Sequence, residues 1–535
     1  MHKYIFISSA LPYPNGNLHI GHMLEFIQTD IWIRFKNKNN LNAFYFSGID
    51  AHGTPIMLKA LSEKTIPQKL VTNFFLSYKK DLLNFNINYS NFYTTHSYEN
   101  EILTRNFFYK LYEKNLIYIK KTSQFYDNKL KSFLPDRYII GTCPKCKSVD
   151  QYGDICEKCN FNYDALELIN PKSKITNTTP IILQTNHYFF SLEKFQSFLI
   201  NWCKKTLLQK QMLNKLTEWF KIGLNPWNIS RNSPYFGIKI PGEQDKFFYV
   251  WIDAPLGYFA SIQNFFLKSN ININHYLFKT KKFILYHFIG KDIISFHALF
   301  WIAILKAMNI KLPKDIIVHG FLTINGKKMS KSKNTFITAK DLNGKFNTDY
   351  IRFYLASKLN NKITDIDFNI KDFINKINSD LIGKFINILS RISTILIKNY
   401  NGILAEKIFS YDLFYEYTSI NKTINSLYNK RKFNKIIKII INYTDKINLY
   451  IEKEKPWYLH VDVLTYKRGH EVCTTALNLF FILLFYIKPI IPQIVSSIEV
   501  MLKLDKINNS ILVLPYTSIC IKNYKHIIYK LKNHD

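Results

Sequence analysis

The first fifty residues carry the pattern that most restricts what this chain can fold into. Residues 3–9 are a short apolar run, 12–17 form a Pro/Asn/Gly turn, 18–35 have helical spacing, and 42–49 are a second apolar run. A buried strand, a helix and a second buried strand in this order are typical of a parallel sheet covered by helices. The sequence therefore predicts an α/β fold.

This α/β pattern is interrupted and then resumes. Residues 117–232 contain two cysteine pairs with polar and aromatic stretches, which indicate an inserted domain. Apolar runs at 247–252, 283–289 and 316–319 then predict three more strands, and the pattern beyond residue 341 is helical. We expect a split nucleotide-binding type of fold, an insert within it, and a C-terminal helical domain.

Composition narrows the class of protein. The 535 residues are 47% hydrophobic and 21% charged, which is enough apolar side chain to bury sizeable cores. The net charge of +33 suits a polyanionic partner such as nucleic acid. Lys, Asn, Ile, Phe and Tyr are also the residues that AT-rich codons impose, so the charge alone does not decide between the two explanations.

Cysteine usage and hydropathy indicate the compartment. Seven cysteines in a chain of this length exclude a disulfide scaffold and favour a reducing, cytoplasmic setting. The N-terminus lacks the basic region, long apolar core and cleavage site of a secretory signal. The most apolar run, 476–487, is shorter than the ~18 residues that a membrane span needs. We expect a soluble protein with no membrane partner.

A candidate phosphate site lies where the first strand passes into the first helix. His19 and His22 are three residues apart, so on a helix they share a face, and Gly21 between them lets a ligand approach the backbone. A helix N-terminus attracts phosphate, and two imidazoles can stabilise charge that develops on it. Two surface histidines at a helix start are the alternative interpretation.

A lysine- and serine-rich segment, 327–334, follows the predicted strand 316–319 and an Asn-Gly turn. Alone it would be a solvated loop. Together with the first motif it resembles the HIGH and KMSKS signatures of class I aminoacyl-tRNA synthetases in order, spacing and context. The resemblance implies a mobile loop that brings Lys331, with Lys328 beside it, onto the ATP triphosphate as pyrophosphate leaves.

Four further stretches resemble the methionyl-tRNA synthetases of the bacterial type: 10–13, 50–55, 250–258 and 288–293. The resemblance implies a Rossmann-like parallel-sheet catalytic domain with a zinc-bearing insert, followed by an α-helical bundle domain. It also implies methionine–tRNA ligase activity, in which Mg²⁺-bound ATP activates L-methionine to methionyl-adenylate, with release of diphosphate. The acyl group then passes to the 3′ end of tRNA(Met), initiator and elongator, with release of AMP.

The family's motifs assign roles to individual residues. The catalytic residues would be His19, His22, Lys328 and Lys331. ATP would contact Glu25, Gly290, Asp292 and Lys331. Asp50 would hold the methionine ammonium, and the side chain would lie among Leu11, Tyr13, Trp251, Ala254, Pro255, Tyr258, Ile293 and His297. A thioether offers almost no hydrogen-bonding group, so shape and sulfur–aromatic contact must select it.

Cys143, Cys146, Cys156 and Cys159 form two CxxC pairs separated by nine residues. Four thiolates in two tight turns match a tetrahedral structural zinc site, and no position remains open for a catalytic water. A disulfide interpretation conflicts with the compartment, and an iron–sulfur cluster would need a different spacing.

In the helical part, Asn387 and Arg391 are four residues apart and therefore share a helix face, while Trp457 follows a proline. In the resembled family these positions contact the anticodon. A buried tryptophan and a surface arginine are the alternative interpretation from sequence. Since no segment here matches the dimerising C-terminal module of some relatives, we expect a monomer.

These expectations divide the chain at defined positions. The catalytic domain would occupy 1–116 and 233–320, the insert 117–232, the KMSKS loop and stem-contact region 321–385, and the anticodon-binding domain 386–535. Three alternatives remain open from sequence: a class I synthetase for another apolar amino acid, a small-molecule nucleotidyltransferase with a HIGH-type site, and a non-enzymatic zinc RNA-binding protein.

Overall fold

The structure is a computed structural model that describes residues 4–39, 41–153, 156–159, 161, 163–206, 209–280, 282–329, 336–504, 506–521 and 524–532. Its strands and α-helices follow one another in this order: β1 (Tyr4–Ser9), α1 (Ile20–Lys38), β2 (Ala43–Ile49), α2 (Thr54–Ser62), α3 (Pro67–Asn84), β3 (Asn91–Thr94), α4 (Tyr98–Glu113), β4 (Ile117–Asp127), β5 (Ser132–Phe133), β6 (Ile139–Thr142), β7 (Gln151–Tyr152), β8 (Ile169–Ser173), β9 (Ile181–Phe190), α5 (Gln196–Thr206), α6 (Lys210–Ile222), β10 (Trp227–Asn228), β11 (Ser230–Asn232), β12 (Lys246–Phe248), α7 (Val250–Asp253), α8 (Leu256–Leu267), β13 (Phe283–Gly290), α9 (Trp301–Ala307), β14 (Asp315–His319), β15 (Leu322–Ile324), β16 (Lys327–Lys328), α10 (Ala339–Lys345), α11 (Thr348–Lys358), β17 (Ile366–Phe368), α12 (Ile370–Lys376), α13 (Asn387–Asn399), α14 (Tyr411–Ser419), α15 (Asn421–Asn429), α16 (Phe433–Glu454), α17 (Pro456–Leu459), α18 (Val463–Ile487) and α19 (Pro492–Met501).

A five-stranded parallel sheet in the order β14-β13-β1-β2-β3 confirms the predicted α/β class. The chain runs outward from β1 through β2 to β3 and later returns to the other side of β1 as β13. In sheets of this kind, ligands bind beyond the carboxyl ends of the strands where the order reverses. Here that point lies between β1 and β13, so residues after Ser9 and after Gly290 meet at one edge.

The predicted strand at 247–252 is wrong in its second half. Only Lys246–Phe248 pairs, antiparallel to β11 and outside the main sheet, and Val250–Asp253 form the short helix α7. The local preference of this aromatic and β-branched run for a strand is overridden by tertiary packing. The helical turn buries Ile252 and Asp253 and leaves Trp251 beside the main cavity.

The insert follows α4 and carries two small antiparallel sheets. One has the order β10-β9-β4-β5, and the other, β7-β6-β8, lies next to the cysteine pairs. One apolar cluster joins the two sheets, because it includes Phe125 of β4, Leu134, and Ile139 of β6. These contacts let the insert approach the carboxyl edge of the main sheet as a folded unit.

The most apolar helix, α18, is 25 residues long, about twice the apolar run expected from sequence. Among the described residues it is the one helix that is long and apolar enough to cross a membrane by length and composition, but 94% of its apolar 18-residue window is buried inside the protein. Its neighbours α13 and α16 pack against it. The helix therefore forms the centre of the C-terminal bundle.

A buried ion-pair network joins this bundle to the main sheet. Arg352, fully buried on α11, donates to Asp30 on α1 at 2.6 Å and to the carbonyls of Pro489 and Ile490 after α18. Burial alone would raise the pKa of Asp30, but Arg34 and Arg352 outweigh it and hold the pKa below its ordinary value. One guanidinium therefore connects three elements that are distant in sequence.

Candidate active site

A cavity of about 920 Å³ opens at the carboxyl edge of the sheet. Its lining includes every residue that the family resemblance assigned to catalysis, ATP or methionine within the described residues, apart from Lys328: Leu11, Tyr13, His19, His22, Glu25, Asp50, Trp251, Ala254, Pro255, Tyr258, Gly290, Asp292, Ile293 and His297. These residues come from four separate stretches of chain, and the fold brings them together.

Hydrogen bonds at the start of α1 determine which ring nitrogen of His19 and of His22 carries the proton. Nδ1 of His19 accepts from the backbone N–H groups of Gly21 (3.1 Å) and His22 (3.4 Å), and Nδ1 of His22 accepts from the His19 N–H (3.2 Å). Burial lowers the pKa of His19 to about 4 and that of His22 to about 3. Both rings are therefore neutral near pH 7, and each carries its proton on Nε2 as a donor.

Two described residues of the segment that bears the second motif, Met329 and Phe336, lie beside these histidines. Met329 lines the cavity, and its Cε would lie 2.8 Å from a Cβ placed on Gly21. Phe336 also lines the cavity with its ring centroid 5.3 Å from that of His19. Lys331 lies outside the described residues, and so does the side chain of Lys328. The described residues on either side of positions 330–335 thus lie next to the candidate phosphate site.

Glu25 lines the cavity, and both of its carboxylate oxygens have partners. Its Oε1 accepts from the Ala10 N–H at 2.6 Å, and its Oε2 lies 3.1 Å from Nε2 of His319. Although burial alone would lower the pKa of His319, the bond to Glu25 raises it above the ordinary value. His319 ends β14 and lines the cavity, but its place in the predicted strand gave no signal of a role at the site.

The predicted methionine pocket has aromatic walls in which the His297 imidazole and the Tyr258 hydroxyl are already paired. Nδ1 of His297 lies 3.1 Å from the Ile293 carbonyl and donates to it, so Nε2 accepts from the Tyr258 hydroxyl at 2.9 Å. Burial lowers the pKa of His297 to about 4. Trp251 stacks on Phe296 with centroids 3.7 Å apart. The pocket therefore suits an apolar, polarisable side chain.

Asp50 is a buried carboxyl group directly after β2. Burial and the nearby Asp253 raise its pKa well above the ordinary range. Its Oδ1 and the hydroxyl of Tyr13 have no hydrogen-bond partner among the residues that the structure describes. Buried polar atoms without partners are costly, and a ligand ammonium would satisfy both.

The insert supplies residues that the sequence did not point to. Asp136, Arg137 and Tyr138 line the cavity, as does Arg231, whose guanidinium lies 3.7 Å from the centre of the Tyr249 ring. Arg231 follows β10 with no recognisable motif around it, so only the fold reveals its position. It adds a fixed positive charge to the wall of the cavity.

The four predicted metal ligands come together outside the cavity. The Sγ atoms of Cys143, Cys146, Cys156 and Cys159 all lie within 4.8 Å of one another. Two of the separations are 3.5 Å and 3.9 Å, close to the ~3.8 Å edge of a tetrahedron with metal–sulfur bonds of ~2.3 Å. The N–H groups of Cys146 and Cys159 point at Sγ of Cys143 and Cys156. The cluster can hold one metal ion.

The three predicted anticodon residues lie on the bundle and do not line the cavity. Asn387 begins α13, and Arg391 lies one turn later on the same face. The Arg391 guanidinium is 5.5 Å from the Trp457 ring and donates to Glu452 at 2.6 Å. Trp457 is half-buried at the start of α17 and therefore offers part of its indole to solvent.

Comparisons with family models, curated proteins and solved structures all lead to the same family. The family model described as tRNA synthetases class I (M) matches residues 5–393. Methionine–tRNA ligases of Francisella tularensis are similar over 509 residues, which is 95% of this chain and 76% of each relative. The protein of subsp. holarctica strain OSU18 is 45% identical, and that of subsp. tularensis strain WY96-3418 is 44% identical.

Two solved structures of Mycobacterium tuberculosis methionyl-tRNA synthetase have the same fold. The complex with methionyl-adenylate matches with a TM-score of 0.80 at 21% identity and covers 97% of this chain and 98% of that one. The apo form matches with a TM-score of 0.74 at 19% sequence identity, and the match covers 99% of each chain. Since the family model spans most of the sequence and relatives at 45% identity cover nearly all of it, the chain belongs to the methionine branch of the class I tRNA synthetases.

Proposed function

We propose that this chain activates L-methionine with Mg²⁺-bound ATP and transfers it to the 3′ end of tRNA(Met). The observation that carries the proposal is the cavity itself. It places two Nε2–H donors at a helix N-terminus, a buried carboxyl group with one unpaired oxygen and an aromatic-walled pocket around one space. Each of the three features matches one part of the reacting pair: phosphate, ammonium and thioether side chain.

In the first step the methionine carboxylate attacks the α-phosphate of ATP. Charge develops on the phosphate oxygens as diphosphate leaves, and the neutral Nε2–H groups of His19 and His22 donate to them. Lys331 and Lys328, which are close in sequence to the cavity-lining Met329 and Phe336, would offset the charge of the leaving diphosphate. In the second step the terminal ribose hydroxyl of tRNA takes the acyl group and releases AMP, so no covalent enzyme intermediate is needed.

Exchange of labelled diphosphate into ATP tests this proposal. We expect methionine to support exchange, while leucine, isoleucine and valine at the same concentration give the rate of the no-amino-acid blank. Exchange driven by leucine or isoleucine would favour a synthetase for another apolar amino acid. No exchange with any amino acid would contradict the proposed enzyme activity.

We also propose that the four cysteines hold one structural Zn²⁺, which would fix the fold of the insert against the cavity. Elemental analysis of the purified chain should give about one zinc per molecule. Cys156→Ser should lower that ratio and destabilise the insert. Cys203→Ser, which changes a buried thiol outside the cluster, should retain the zinc. Equal zinc content in both variants would contradict the assignment.

Asn387, Arg391 and Trp457 are proposed to contact the anticodon of tRNA(Met). A base stacked on a half-exposed indole contributes about 1–3 kcal/mol, so Trp457→Ala should lower tRNA charging roughly 5- to 150-fold. Diphosphate exchange needs no tRNA and should be unchanged, which makes it the internal control. An equal loss in both assays would mean that Trp457 is structural. A monomeric state in the cytoplasm, with Mg²⁺ brought by ATP, completes the proposal.

A further inference from the structure

His319 lies next to the three described residues that the family resemblance assigns to ATP, although no motif assigns a role to His319 itself. Its Nε2 lies 3.1 Å from Oε2 of Glu25. A Cβ placed on Gly290 would lie 3.7 Å from Cε1 of the same ring and 2.7 Å from Oδ1 of Asp292. The side chains of His319 and Glu25 are each only 11% exposed, and both residues line the cavity. One imidazole therefore borders the whole set.

The backbone and one ring nitrogen of His319 are fixed by groups other than this set. Its strand, β14, is the edge of the main sheet. The side-chain amide of Gln209 hydrogen-bonds to both the N–H and the carbonyl of the preceding residue, Val318, at 2.8 Å and 2.7 Å. Nδ1 of His319 lies 2.7 Å from the Gly320 carbonyl, which can only accept, so Nδ1 is the donor. The other nitrogen, Nε2, remains for the contact with Glu25.

This contact is a hydrogen bond whichever of its two atoms carries the proton, because an unprotonated nitrogen and a carboxylate oxygen would repel each other at 3.1 Å. The second carboxyl oxygen of Glu25, Oε1, accepts from the Ala10 N–H at 2.6 Å. Glu25 is thus held at both oxygens, by residues at the ends of β1 and β14, and β13 lies between these two strands. A side chain that is already oriented loses less conformational freedom when a ligand binds.

We propose that His319 is a positioning residue for ATP: its Nε2 holds the Glu25 carboxyl group in the orientation in which Glu25, Gly290 and Asp292 bind the nucleotide together. This inference rests on the proposed function, since it takes ATP as the ligand of the cavity. Glu25 lies three residues after His22 on α1, so the two side chains share a helix face. The methionine pocket is formed by other residues, and the effect of His319 should therefore be confined to ATP.

Two amide variants separate the roles of the two ring nitrogens. A glutamine amide extends about as far as Nε2, whereas an asparagine amide reaches only the position of Nδ1. In diphosphate exchange, His319→Asn should raise KM for ATP about tenfold, the effect of losing about one buried hydrogen bond, while KM for methionine changes about twofold or less. His319→Gln retains a partner for Glu25 and should keep KM for ATP within about threefold of the wild-type value.

A double-variant cycle tests whether His319 acts through Glu25. Glu25→Ala removes the carboxyl group and should itself raise KM for ATP. In that background His319→Asn should have little further effect, because the group that His319 holds is gone. His187→Asn is the matched control. His187 is also buried, with both ring nitrogens within hydrogen-bonding distance of polar side chains, but it does not line the cavity, so both KM values should stay in place.

Three outcomes would overturn the inference. An unchanged KM for ATP in His319→Asn would show that Nε2 is not needed. A folded His319→Gln with KM for ATP raised as much as in His319→Asn, or more, would mean that the bond to the Gly320 carbonyl matters instead. Losses that add in the double variant would mean that His319 acts independently of Glu25. If His319→Asn fails to fold, the KM for ATP of His319→Gln decides. An inactive wild-type chain would count against the proposed function instead, so the two failures are distinguishable.

Discussion

His22→Ala is expected to lower the rate of diphosphate exchange about 100- to 1,000-fold at saturating methionine and ATP. The Nε2–H of His22 is a preorganised donor in a buried site, and removing one such donor from a developing oxyanion has an effect of this size. KM for methionine should change little, because the proposed methionine pocket is formed by other residues, among them Tyr258, His297 and Trp251. Steady-state exchange kinetics give both quantities.

Two controls make the His22 result specific. His22→Gln places an amide donor near the position of Nε2 and should recover part of the lost rate. Thermal unfolding of His22→Ala should show a small shift, since the ring also accepts the His19 N–H as a helix cap. A rise in methionine KM with unchanged kcat would contradict the assigned role, because it would place His22 in binding of the amino acid.

Arg352→Leu is expected to destabilise the protein by about 3–5 kcal/mol, the usual result of removing one partner from a buried ion pair. The change leaves Asp30 with one cation, Arg34, and leaves the carbonyls of Phe85, Pro489 and Ile490 without their donor. Urea titration followed by circular dichroism measures the loss. The helical bundle and the α1 side of the sheet should separate earlier in urea than in the wild type.

A surface ion pair provides the comparison for Arg352. Arg105 contacts Glu101 at 2.6 Å on α4, but both side chains are more than a third exposed. Exposed pairs contribute about 0–1 kcal/mol, so Arg105→Leu should move the urea midpoint little. Similar midpoints for the two variants would mean that the buried network does not hold the bundle against the sheet.

The parts of the fold that follow from local pattern could be predicted from sequence. The strand, helix and strand at the N-terminus predict the parallel sheet. The spacing of the four cysteines predicts that their sulfur atoms form one cluster. These features depend on periodicity and short spacing, which sequence shows directly. The strand β3, only four residues long, was missed because so short a run has little periodicity.

The parts that depend on contacts between distant segments could not be predicted. Val250–Asp253 has a strand-like composition, yet it forms a helix that places Trp251 beside the cavity and Asp253 against His52. His52 stands next to Asp50 in a recognisable motif, but its link to Asp253, 201 positions away, exists only in the folded chain. Arg231 and His319 join the site in the same way.

The central claim is that one cavity selects methionine and activates it on ATP. Rapid mixing of the purified chain with Mg²⁺, ATP and all twenty amino acids, followed by an acid quench and mass spectrometry, tests it directly. We predict methionyl-adenylate in an amount close to that of the chain, and no other aminoacyl-adenylate above background. A leucyl or isoleucyl adenylate as the main product, or none at all from a folded chain, would contradict the claim.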